Sequence, residues 1–356
     1  MKLSRRHFLK TLFLGALSYL FRFTGKSRAM GNKPLEKPNN WAPAYKQLED
    51  NQEFKSRIEQ AYKKLKKCDL CPHRCGVNRI KGETGFCNAP DKVVVYSHQP
   101  HFGEELPLVG NNGSGTIFFS NCNLRCVFCQ NWPIAHQGKG RQISDRELAD
   151  IMLNLQQRGC HNINLVTPTH VMPNILRAVR IALHQGLDIP LCYNTGGYEL
   201  PQNIKLLDGI VDIYLPDLKF MDGEEADKYV FTGAHDYPKK AQSSIKAMHR
   251  QVGDLITNDN GVALRGVMVR HLVMPNRVAG TRKFVKWIAE NLTKDTYVNI
   301  MSQYRVEHQA YEYERIARSI NRDEFTEAIT WAREAGLRNL DKRSESRLER
   351  FRRMFR

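Results

Sequence analysis

From about residue 114 the chain repeats one pattern: a short β-rich apolar run, a loop, then a stretch with helical periodicity. The apolar runs are Thr116-Ile-Phe-Phe-Ser120, Ile163-Asn-Leu-Val166, Ile189–Tyr193, Val211–Leu215, a long one around Val262–Val269, and Tyr297–Met301. Ser144-Asp-Arg-Glu147 is a capping box that opens a helix whose Leu148, Ile151, Met152 and Leu155 share a face. Another helix follows Pro173, and a last one runs from about Asp323 to Ala335. Six strand–helix units in one region imply the α/β class, with a parallel sheet covered by helices.

The first run delivers the chain into Cys122-Asn-Leu-Arg-Cys126-Val-Phe-Cys129. Thiolates spaced CxxxCxxC on one tight loop suit an iron–sulfur cluster better than a zinc site, which usually takes four protein ligands. Three thiolates on a four-iron cube leave one iron open to a further ligand. A partial zinc site and packed core thiols are the alternatives. The loop, with Phe128 before its third cysteine, resembles the signature of the radical S-adenosylmethionine (radical SAM) superfamily. That resemblance implies a 4Fe–4S cluster on Cys122, Cys126 and Cys129 whose open iron holds the amino and carboxylate groups of SAM. One electron then cleaves SAM to methionine and a 5′-deoxyadenosyl radical. It also implies a partial (β/α)6 TIM-like barrel, with the chemistry at the C-terminal strand ends.

Each strand end offers candidates. Thr167-Pro168-Thr169-His170 lies where the superfamily usually carries a Gly-Gly-Glu-like segment, and the hydroxyls of Thr167 and Thr169 can accept from the SAM ammonium. A helix N-cap leading into Pro173 is the alternative. Asn194-Thr195-Gly196-Gly197 follows the third run; Gly196 and Gly197 either let a ligand approach the backbone or make an ordinary turn. Asp217-Leu218-Lys219 resembles the element that glycyl-radical activating enzymes present to SAM and to an incoming peptide, and alternation puts Asp217 and Lys219 on one side. Arg270-His271 and Gln303-Tyr304-Arg305 close the last two strands, with Arg270 a cation for the SAM carboxylate.

A second cysteine group precedes the barrel: Cys68-x2-Cys71-x3-Cys75-x11-Cys87, with glycines shaping its turns. Four thiols so spaced form a zinc site or an auxiliary cluster, two disulfides being the alternative. His73 inside it reads as a solvent-facing turn residue. Cys160 and Cys192 stand alone beside strands and read as small buried hydrophobes. The stretches Cys68–Cys75, Gly113–Ser120 running into Cys129-Gln-Asn131, and Asp212–Lys219 together resemble the subgroup of radical SAM proteins named for likeness to pyruvate formate-lyase activating enzyme. In classical activators the extra cysteines follow the radical loop; here they precede it.

The ends are of another character. Ser4-Arg5-Arg6-His7-Phe8-Leu9-Lys10 reads as a twin-arginine export motif, followed by the apolar stretch Thr11–Phe21, which is too short for a comfortable membrane span. The chain is expected to be exported by the twin-arginine machinery, into the periplasm or held at the inner membrane by an uncut anchor. The resulting organisation is a signal over 1–29, a linker and polar helix over 30–66, a cysteine-rich module over 67–110, the barrel over 111–337 and a basic tail over 338–356. Of the formal charge of +17, seven basic residues lie in 1–29 and a net five positive charges in 338–356. The body is only mildly basic, which argues against a nucleic-acid groove. The tail from Arg347 to Arg356 reads as a basic amphipathic or solvated helix. The implied partners are a low-potential electron donor and a substrate, either a protein glycine or a small molecule. An exported iron–sulfur electron carrier or assembly factor that no longer cleaves SAM is the alternative.

Overall fold

The computed structural model describes residues 41–346 apart from 52, 232 and 345. The export signal, the linker up to residue 40 and the tail from residue 347 lie outside the described residues. Among the described residues no helix is long and apolar enough to cross a membrane.

A nine-stranded sheet runs through the molecule. Strands β1 (Val93–His101) and β3 (Arg141–Ile143) form an antiparallel edge against β2 (Ser114–Phe119). From β2 the order is sequential and parallel through β4 (Ile163–Val166), β5 (Leu191–Thr195), β6 (Ile213–Pro216), β8 (Ala263–Leu272) and β9 (Tyr297–Met301). The two-residue β7 (Ile256–Thr257) adds an antiparallel rung to β8. The six parallel strands are the six units expected, and with helices on their outer face they make the partial (β/α)6 barrel. β5 begins two residues later than its apolar run, because Pro190 has no N–H to give the ladder. Asn194 and Thr195 therefore close the strand instead of following it.

The sheet separates two apolar layers. Its outer face packs Ile117, Leu165, Tyr193 and Val269 under helices such as α4 (Asp145–Gln157) and α5 (Met172–Leu183). The Ser144–Glu147 capping box is formed as expected. A separate cluster of Cys192, Ile213, Leu215 and Met268 is closed by Leu108, from α3 (Leu106–Val109).

Three segments outside the strand–helix units are tied to the barrel. The segment read as a linker and polar helix holds α1 (Ala44–Asp50) and α2 (Glu53–Lys63), which bury Tyr45, Phe54, Ile58 and Ala61 in the core. Glu49 pairs with Arg180 of α5 at 2.8 Å, and the Ala44 N–H donates to Asp212 Oδ1 at 2.8 Å. The charges on α2 dominate its composition, whereas the apolar stripe alone decides its docking. The cysteine-rich stretch has no core of its own: Cys68 and Leu70 belong to the barrel's core. Finally, the start of the tail is tied down. Leu340 bridges Val298 at the edge of β9, and the Tyr297 hydroxyl donates to Asp341 Oδ2 at 2.5 Å.

Candidate functional site

Both faces of β2 are buried, so the chain leaves the sheet within a packed environment. Asn121 (φ 74°) and Arg125 (φ 54°) take left-handed backbone that turns the cysteine loop tightly. The loop is pinned from several elements: Asn123 Nδ2 donates to the Tyr198 carbonyl at 2.8 Å, and Val127 N–H donates to the Tyr229 carbonyl at 3.0 Å. His73 Nε2 stands 2.8 Å from the Asn123 carbonyl; since a carbonyl only accepts, this ring nitrogen carries the proton.

Cys122, Cys126 and Cys129 border a cavity of about 260 Å3 together with Thr167, Asn194, Gly196, Asp217, Lys219 and Arg270. Lys219 Nζ lies 2.5 Å from Asp217 Oδ2, and Arg270 Nε lies 2.7 Å from Asp217 Oδ1. Arg270 also donates to Asn194 Oδ1 at 2.6 Å. Burial works to raise the Asp217 carboxyl, but Arg270 and Lys219 outweigh it and hold it below the usual range. Leu218, between the pair, is fully buried. Alternation thus turns both charges to the cavity, as the sequence implied.

Burial pushes the Cys126 thiol well up, with Lys219 opposing, and lifts Cys129 to about 11, with Cys122 adding to the rise. Cys126 and Cys129, which resist ionisation alone, stand with Cys122 beside one ammonium and are stable as thiolates when a cationic metal centre takes their charge. The donor set fits an iron–sulfur cluster. Gly196 completes the cradle, because a Cβ there would collide with Leu124.

The family model for the Radical SAM superfamily matches residues 116–274, which span β2 with its cysteine loop through β8. The chain belongs to the radical SAM superfamily. Its family cofactors are accordingly a 4Fe–4S cluster and SAM. An uncharacterized protein of Methanocaldococcus jannaschii, MJ0674, is 34% identical over 292 residues, covering 79% of this chain and 78% of that protein. The solved structure of methylornithine synthase (PylB) aligns over 62% of this chain and 67% of its own, at 14% identity and a TM-score of 0.39.

Not every candidate faces the radical SAM cavity. The Thr169 hydroxyl is turned into the interior, donating to Glu199 Oε1 at 2.6 Å. Gly197 (φ 82°) is needed because a Cβ would strike the Asp217 carbonyl, so it serves the close approach of two strand ends. His271 is fully buried between the Leu218 carbonyl and Thr281, and stacks on Phe284. Tyr304 donates to the Ile316 carbonyl, whereas Gln303 does line the cavity.

Several residues escape a reading of strand ends. Glu104 and Glu105 come from the loop between β1 and β2; Glu104 Oε2 meets Arg270 Nη1 at 3.4 Å. Glu199 is buried, accepts from Thr169 and Thr195, and burial lifts its carboxyl to about 7. The Asn-Thr-Gly-Gly-Tyr-Glu run contained Glu199, but nothing local marks it as interior.

All four thiols of the first group are free, and Cys68, Cys71 and Cys87 are buried. Burial raises Cys71, with Cys87 and Cys75 adding to the rise; Cys87 is raised likewise, with Cys68 and Cys75 adding to it. The Phe86 N–H points to Cys75 Sγ at 3.4 Å. Among the described residues, no three His, Cys, Asp or Glu side chains already converge as a metal cage, and this applies to both cysteine groups. His73 is not a solvent-facing residue. It stacks on Phe86 at 3.9 Å, lies 4.6 Å from Phe231, and bridges to the radical loop through Asn123.

Proposed function

We propose that this radical SAM enzyme abstracts hydrogen from a substrate held at the mouth of the partial barrel. The observation that carries this reading is the single cavity bordered by the three loop thiols, the Asp217–Lys219 pair and Arg270. Cys122, Cys126 and Cys129 hold the 4Fe–4S cluster. When bound, that cluster supplies the electron that cleaves SAM to methionine and a 5′-deoxyadenosyl radical. Asp217 accepts from an ammonium group, and Lys219 and Arg270 offer donors to a carboxylate, so an incoming zwitterion exchanges partners with an ion pair already in place. Thr167, Asn194 and Gly196 shape the adjoining wall.

Likeness of the Cys68–Cys75, Cys129-Gln-Asn131 and Asp212–Lys219 stretches to activating enzymes favours a protein glycine as the hydrogen donor. The four thiols Cys68, Cys71, Cys75 and Cys87 hold a second metal, either zinc or an auxiliary cluster; their mutual proximity and lack of disulfides support this. Export by the twin-arginine route rests on Ser4–Lys10 alone, and the reductant is a low-potential donor.

Anaerobic reconstitution with iron and sulfide, followed by reduction in the presence of SAM, tests the reading. The expected outcome is 5′-deoxyadenosine in proportion to cluster content. A full 4Fe–4S spectrum with no 5′-deoxyadenosine would leave the electron-carrier reading standing instead.

A further inference from the structure

Beyond Arg270 lies a second, more polar cavity of about 330 Å3, which shares Arg270, Met301 and Gln303 with the cavity bordered by the thiols. Glu104 and Glu105 form part of its wall, with Asn299 of β9 and with Arg343 and Ser344 of the C-terminal segment. Glu105 is only 3% exposed. Its Oε1 accepts from Asn299 Nδ2 at 2.7 Å, while Oε2 is buried with no hydrogen-bond partner among the described residues. Glu104 receives one long contact from Arg270, which also donates to Asp217 and Asn194. Arg343 occupies the rim, donating to the Gly103 carbonyl at 3.0 Å.

A buried carboxylate oxygen without a donor is costly, and the cost is relieved by a ligand that brings one. The strongest donors for a carboxylate are cationic N–H groups. The hydrogen bonds of Arg270 go to Asp217, Asn194 and Glu104, and none reaches Glu105 Oε2.

We propose that this cavity is the substrate pocket and that it selects an ammonium or guanidinium group, with Glu105 as the main acceptor and Glu104 as the second. The remainder of the substrate extends past Arg270, Met301 and Gln303 to the cavity bordered by the thiols. This inference rests on the hydrogen-abstraction reading above and names the substrate class.

The test is calorimetric titration of the full chain, cluster reconstituted, with n-butylamine and n-butylguanidine against the neutral n-pentanol. The cations should bind and the alcohol should not; Glu105→Gln, which preserves the acceptor for Asn299, should weaken cation binding by about tenfold or more. Should Glu105→Gln fail to fold, Glu104→Gln carries the same comparison with a smaller loss. A blocked lysine, N-acetyl-lysine methylamide, separates the two sources: binding assigns the cation to a peptide side chain, and binding of the free amines alone assigns it to a small molecule. Equal affinity for alcohol and amine, no cation binding at all, or cation affinity unchanged in the folded Gln variants overturns the proposal. No cation binding by the unmodified protein, with its SAM cleavage intact, sinks this inference alone. Absent SAM cleavage with cation binding intact sinks the reading of the reaction.

Discussion

Seven cysteines stand on the two sides of one contact, His73 against the Asn123 carbonyl, and the side chains around them differ. Cys122, Cys126 and Cys129 border open space and share it with an ammonium, a carboxylate and a guanidinium. Exposure does not divide the groups, since Cys126 at 6% is as buried as Cys68, Cys71 and Cys87; the company does, for beside the first group a half-buried His73 packs against Phe86, Tyr198 and Phe231. A metal centre that must bind substrate keeps a position open, whereas one that holds structure is enclosed by protein.

The sharpest way to break this comparison is a pair of alanine variants. Cys126→Ala should abolish 5′-deoxyadenosine formation while leaving in place the metal proposed for the first group, read by product assay and metal analysis. Cys71→Ala should instead release that metal and lower stability by about 3–5 kcal/mol, read from denaturant midpoints. If the two variants lose activity and stability alike, the division of labour fails. A smaller effect is expected within the open site. Asp217→Asn leaves Lys219 and Arg270 without their carboxylate, which should cost about 3 kcal/mol and slow SAM cleavage by roughly 10–100-fold. Unchanged SAM affinity and turnover would remove Asp217 from the site.

The smallest effect concerns Glu199, whose carboxyl adds to the raised pKa of Cys71 and so connects to the enclosed group. Its folded value of about 7 lies above the ordinary 4.5, so the folded protein binds the proton more tightly. That contribution to stability is fully present below about 4.5 and is lost as pH rises through about 7. Glu199→Gln should flatten the stability difference over this window, by about 1–3 kcal/mol between its ends. Parallel stability curves for the two proteins would count against a raised Glu199.

Local periodicity carried much of this molecule. Apolar runs located the six parallel strands, and the two-residue spacing of Asp217 and Lys219 correctly turned both to one side. Where the reading fell short, the deciding contact was distant in sequence. Glu104 sits 166 residues from Arg270 and Glu105 sits 194 from Asn299, so no window of neighbouring residues could join them. His73 looked like a turn residue because its aromatic partners Tyr198 and Phe231 are distant in sequence, one after β5 and one after the helix Gly223–Tyr229. Thr169 and Gly197 have the chemistry of ligand contacts, but their hydroxyl and missing Cβ answer needs inside the fold.

The docking of α1 and α2 has a consequence for how the protein is made. These helices leave the ribosome early, yet the Ala44 N–H finds Asp212 only 168 residues later, and Glu49 waits for Arg180. Contacts of such long span form slowly, because the intervening chain must first be ordered. During synthesis Phe54, Ile58 and Ala61 therefore spend time as an uncovered apolar stripe until α5 has emerged. A nascent chain halted before Met172 should be a good client for a holding chaperone, and one halted after β6 should not.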